Sequence, residues 1–204
     1  MRRIVLPIAV SCSILLCHLA RSEPGTTNIS KAAMNLPPEL ASLAREGKNE
    51  FDKGNYREAE KIYESVLEKA PNNLYTLSNL GVVYFRAQKL PRAEAMLKKA
   101  IAIAPEDGFS HCTLGIVYYS QMRYDEAVNE LTKALAINPK NAFAHQYLGI
   151  VASQKGWTEV AQKELEMATR LDPSFKAESA PTPGTGDFLT PLETQRLQVP
   201  LERK

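Results

Sequence analysis

Three cysteines, three histidines and one tryptophan are all that this 204-residue chain holds of those types, and each scarcity removes a class of protein. Cys12 and Cys17 lie within the first 22 residues, so once that stretch is cleaved Cys112 stands alone and no internal disulfide can form. His111, Cys112 and His145 are the only cluster of soft ligands. A zinc site takes three or four converging ligands, and neighbours on one helix point about 100° apart, so the histidines read as core residues. No phosphate-binding loop, Ser-His-Asp arrangement or paired-carboxylate motif stands out, and Glu46 and Glu50 read as a solvated end face. We expect no enzyme, no cofactor and no metal. Charge of one sign is also lacking, with 25 basic and 23 acidic side chains. The first 22 residues hold three arginines and no acid, which leaves 22 against 23 and a net charge of −1. Such a balance gives no electrostatic reason to expect nucleic acid as a partner.

Long apolar runs are confined to the beginning. Arg2 and Arg3 precede an apolar stretch over residues 4–20, and Ala20-Arg21-Ser22 offers a small-x-small cleavage pattern. Residues 1–22 therefore read as a signal peptide for export, to the periplasm in a bacterium and to secretion otherwise. The alternative is a retained anchor that tethers the chain to a membrane, for which the run is short and carries Pro7 and His18. Residues 23–39 mix Pro, Gly, Thr, Asn and Ser without helical periodicity and read as a flexible leader, although Pro37 and Pro38 suit the first turn of a helix.

What the chain has in abundance is repetition. Gly47, Gly81, Gly115 and Gly149 lie 34 residues apart, and Ala59, Ala93, Ala127 and Ala161 keep the same step, as do Pro71, Pro105, Pro139 and Pro173. This period divides the chain into units at 40–73, 74–107, 108–141 and 142–175, each with two amphipathic segments joined by a short turn. Gly at position 8 and Ala at position 20 of each unit clear side-chain bulk from the contact between paired helices. A lone hairpin cannot bury both of its apolar faces, so the units are expected to stack.

Unit two reads Leu77, Leu80, Gly81, Tyr84, Ala93, Leu97, Ala100, Pro105 at its signature positions. Unit three reads His111, Leu114, Gly115, Tyr118, Ala127, Leu131, Ala134, Pro139. Unit four reads His145, Leu148, Gly149, Ala152, Ala161, Leu165, Ala168, Pro173. These octets resemble the tetratricopeptide repeat family across residues 40–175. The resemblance implies an all-α fold, a right-handed superhelical solenoid of four helix-turn-helix repeats, and work as an interaction scaffold. Unit one departs from the pattern with Glu46 and Glu50, as a polar terminal cap would. Some members of the family hold an acidic chain terminus in a carboxylate clamp; here the matching positions carry Ala44, Lys48, Asn79, Phe109 and Thr113, of which only Asn79 fits, so that clamp is not expected.

On each first helix a second stripe, centred on positions 2, 5, 9 and 12, lies roughly 140° from the packing face. It is unusually apolar: Phe51; Tyr75, Val82 and Phe85; Phe109, Cys112, Ile116 and Tyr119; Phe143 and Ile150. Exposed patches of that extent tend to bind. With the first helices on the inside of the curve, the stripe lines a groove for an apolar peptide or helix of another protein, to which Ser78, Asn79, Arg86, Gln146 and Gln154 add hydrogen bonds. The alternative is that several of these residues pack between neighbouring units.

After Pro173 the text changes again. Residues 176–204 form a Pro/Gly-containing tail in which Thr190, Pro191 and Glu193 mark a short helix over 191–198, the other reading being a tail without stable structure. This tail is long enough to cover the open end of unit four or to fold back into the groove.

Overall fold

The computed structural model describes residues 36–175. The export segment expected over 1–22, the leader up to residue 35 and the tail with its expected helix over 191–198 lie outside the described residues. Eight α-helices and no strand occur among those described: α1 Pro38–Asp52, α2 Tyr56–Lys69, α3 Leu74–Arg86, α4 Leu90–Ile103, α5 Gly108–Ser120, α6 Tyr124–Ile137, α7 Ala142–Gln154 and α8 Thr158–Leu171. They form four antiparallel hairpins stacked into a solenoid. Residues 38 and 39 belong to α1 rather than to the leader, because Pro38 sits in the first turn, where its missing N–H costs nothing.

Local sequence explains where each helix starts and stops. Asn73, Asp107 and Asn141 cap α3, α5 and α7 by accepting a hydrogen bond from the backbone N–H of Thr76, Ser110 and Ala144. Each first helix ends in a Schellman motif, in which the N–H of Asn55, Lys89, Arg123 and Trp157 reaches back to the carbonyl of Glu50, Tyr84, Tyr118 and Ala152 at 2.8–2.9 Å. The residue before each of those donors takes a left-handed conformation. Gly54 and Gly156 do so freely, at φ 83° and 74°, whereas Gln88 and Met122 do so as non-glycine residues at 60° and 61°.

The hairpins are close-packed. A Cβ added to Gly81, Gly115 or Gly149 would fall 2.7 Å from the Cγ of Leu97, Leu131 or Leu165, a distance no real contact tolerates. Ala59, Ala93, Ala127 and Ala161 across the hairpin are fully buried. In the first hairpin Tyr63 stands where the others have leucine, and Gly47 is correspondingly roomier.

Junctions between hairpins add polar bonds to this apolar core. Glu60 accepts from Lys89 Nζ at 2.5 Å and from Arg92 at 2.9 Å, while Arg92 lies 4.7 Å over the Tyr84 ring. One unit further along, Glu94 accepts from Arg123 at 2.8 Å, and Arg123 lies 4.3 Å over Tyr118. At the third junction the corresponding residues are Val128, Ala152 and Trp157, so that ion pair is absent there. First helices of successive hairpins pack on one another, α1 on α3, α3 on α5 and α5 on α7, which makes them the inner layer.

Candidate peptide-binding groove

Six residues of the expected groove stripe do not face a groove. Phe51, Val82, Phe85, Cys112, Ile116 and Phe143 are each less than 9% exposed and belong to the continuous core between hairpins. Val82, Cys112 and Ile116, at positions 5 and 9, fall where adjacent first helices pack on one another. Phe51 and Phe143 are covered by rings from other elements, Tyr56 at 5.4 Å and Phe175 at 4.9 Å. Ser78, expected to serve a ligand, is buried and donates to the Leu74 carbonyl of its own helix at 2.9 Å.

Tyr75, Asn79, Arg86, Phe109, Tyr119, Gln146 and Ile150 are half-buried and keep open surface. They fall into two groups. Tyr75 receives a hydrogen bond from the Tyr63 hydroxyl and feels the charges of Lys48 and Asp52; burial is the main reason its own hydroxyl is pushed up. Asn79 spends its amide donor on the Tyr75 carbonyl at 2.7 Å. Further along, Tyr119 meets Tyr147 edge-on at 5.9 Å and Tyr124 at 6.2 Å. Burial raises the Tyr119 and Tyr147 hydroxyls, and Tyr147 feels Tyr119, Cys112 and Arg86 as electrostatic neighbours. Arg86 donates to the Tyr56 hydroxyl at 2.7 Å and lies 5.3 Å over that ring.

Tyr56, Tyr124 and Tyr147 did not emerge from the sequence stripe. Tyr147 sits at position 6, one step off the counted stripe, and Tyr56 and Tyr124 open second helices at position 17. Recurrence of tyrosine at that position was the available signal. Position 12 also changes character along the array, from Phe51, Phe85 and Tyr119 to Ser153.

His111 is buried and His145 half-buried, and both ring nitrogens of each are engaged. Nδ1 of each lies 2.6 Å from a carboxylate oxygen, of Glu130 and Glu164 respectively. Nε2 lies 2.8 Å from the Pro105 carbonyl and 3.0 Å from that of Pro139. Cys112 points elsewhere, and burial pushes its thiol up to about 12, against a smaller opposing effect of a hydrogen bond with Asn141. No group of three metal-binding side chains occurs among the described residues.

Comparison with known proteins agrees with the repeat architecture. Family models described as tetratricopeptide repeat and TPR repeat match residues 50–109 and 115–156. No curated protein matches the chain in sequence. Among solved structures, TTC0263, a thermophilic TPR protein of Thermus thermophilus, superposes with a TM-score of 0.62 at 21% identity, over 67% of this chain and 77% of that one. MamA is similar at a TM-score of 0.58 and 28% identity, over 63% and 75% of the two chains. The first TPR of Spaghetti (RPAP3), bound to the HSP90 peptide SRMEEVD, gives 0.56 at 23% identity, over 57% and 93%. The chain therefore carries tetratricopeptide repeats, stacked as an all-helical solenoid.

Proposed function

We propose that this chain is a non-enzymatic interaction scaffold that holds an apolar peptide or helix of another protein on its inner layer. The observation that carries the reading is the set of half-open aromatic and aliphatic side chains there, Tyr75, Phe109, Tyr119, Tyr147 and Ile150, around which polar side chains are few. A concave apolar surface with a small number of polar groups is the usual form of a binding site. Tyrosine suits it, with large contact area, little side-chain entropy to lose and a hydroxyl for backbone bonds. The Spaghetti domain, which shares the fold, holds a peptide, so the architecture is compatible with this use.

Tyr119→Glu combined with Ile150→Glu tests the reading, because both side chains already touch solvent and neither is among the fully buried residues of the core. In a crosslinking pull-down from the native source, the double variant is expected to lose the partners held by the unaltered chain while keeping its helical circular dichroism. Capture of the same partners by a folded variant would overturn the proposal.

Export belongs to the same proposal and rests on Arg2, Arg3 and the apolar run over 4–20. Sequencing of the mature N-terminus decides between cleavage near Glu23 and a retained tether.

A further inference from the structure

The inner layer carries more positive than negative charge. Its groove-facing positions on the described first helices hold Arg45, Lys48 and Arg86 against a single acid, Asp52, and Lys48 already pairs with that acid at 2.6 Å. Arg86 differs from the other guanidinium groups of the core junctions. Arg92 and Arg123 each pair with glutamates, whereas Arg86 has no carboxylate partner among the described residues. Its contacts are the Tyr56 hydroxyl at 2.7 Å, the Tyr56 ring and the electrostatic influence of Tyr147. Burial weakens its hold on a proton, and Tyr147 acts in the opposite sense. A guanidinium has five donors, and a half-buried cation is costly unless its charge is matched. Tyr147, whose charge Arg86 feels, in turn meets the Tyr119 ring.

We propose that the bound segment is acidic as well as apolar, and that a carboxylate side chain of the partner docks on Arg86 beside Tyr56 while its apolar side chains cover Tyr119 and Ile150. This inference rests on the groove reading and names the chemistry of its occupant. It differs from the clamp that the family uses for acidic termini, whose positions here hold Ala44, Phe109 and Thr113. Arg86 stands at position 13 of its unit, and the charge complementarity is local, because outside the export segment the chain is close to neutral. A planar guanidinium held over the Tyr56 ring favours bidentate pairing with a carboxylate, which lysine at the same place would not reproduce.

The test uses the full chain and two pools of short fluorescein-labelled peptides with Leu and Phe at fixed positions. The remaining positions draw on Asp, Glu, Ser and Ala in one pool, and on Asn, Gln, Ser and Ala in the other. Fluorescence anisotropy is expected to show the acidic pool binding about tenfold more tightly, the scale of one charge-assisted hydrogen bond. That advantage is expected to shrink in high salt, to vanish in Arg86→Gln and to survive only in part in Arg86→Lys. The amide pool, binding Arg86→Gln as it binds the unaltered chain, reports that the variant is folded. Should Arg86→Gln fail to fold, the two pools and the salt series on the unaltered chain decide whether the partner is acidic, and a full preference retained by Arg86→Lys overturns the assignment to Arg86. Equal affinity for both pools overturns the acidic partner and leaves the apolar groove standing. Absence of binding by either pool overturns both readings. A preference for the acidic pool that persists in Arg86→Gln moves recognition to Arg45 or Lys48 and overturns the assignment. Binding seen only after removal of residues 177–204 makes the tail of this chain the occupant and overturns an external one.

Discussion

The Cβ that Gly115 lacks would lie 2.7 Å from Cγ of Leu131, and Leu131 is itself fully buried. Cγ is a branch point rather than a mobile tip, so the leucine cannot swing clear. Gly115→Ala is expected to lower stability by up to about 2 kcal/mol, an overpacking cost of about 1–3 offset by the helix preference of alanine, worth about 1. Gly47→Ala, whose nearest neighbours would be Ile62 at 3.1 Å and Tyr63 at 3.3 Å, should come out near neutral. Urea unfolding of the two variants side by side checks the ranking, and equal stabilities would refute it.

Met122 pays for a left-handed turn that glycine adopts without strain, and its side chain is 65% exposed, so it contributes little packing in return. Met122→Gly is expected to stabilise the array by about 1 kcal/mol, the cost of the left-handed region for a residue with a Cβ. Gly156→Ala tests the same term with the opposite sign, since nothing lies within 4 Å of the added methyl and only backbone strain is introduced. Thermal melts that move the same way for both substitutions contradict this account.

Glu130 is 8% exposed and takes a hydrogen bond from Lys133 at 2.8 Å besides its contact with His111. His111→Leu leaves that buried carboxylate short of a partner and frees the Pro105 carbonyl, so a loss of about 3 kcal/mol is expected. The double change His111→Leu with Glu130→Leu should recover much of it, because removing both partners avoids the stranded charge. His145→Leu, nearer the open end of the array, is expected to cost less. A double variant no more stable than His111→Leu alone shows that the pair does not act as described.

Cys112 is buried, with a thiol pushed from 9.0 up to about 12 by desolvation. Below pH 9 both folded and unfolded chains hold the neutral thiol; between 9 and 12 only the unfolded chain ionises, so this group makes stability fall as pH rises through that window. Replacement by alanine is expected to flatten that part of the alkaline profile. At neutral pH, labelling by a thiol reagent should proceed only as fast as the array opens. Labelling of the folded protein at the rate of a free thiol contradicts the burial.

The stack, its pairing of helices and its turns were legible in the sequence because each depends on local chemistry repeated at a fixed step. A glycine facing a leucine, an asparagine or aspartate before a helix and a proline after one act through their immediate neighbours. The candidate site was only half legible. Phe109, Tyr119 and Ile150 keep surface, whereas Phe85 and Ile116, equally apolar and on the same stripe, are covered. Helical periodicity states which face a side chain leaves from but not how near the next helix comes. Tyr147 and Arg86 influence one another electrostatically across units two and four, a relation no repeat unit contains within itself. Thus the sequence by itself determined a regular array of paired helices, since period and small residues set that geometry. Only the tertiary structure decided which apolar side chains remain available and which cation lacks an acid among the described residues, because both depend on the distance between elements far apart along the chain.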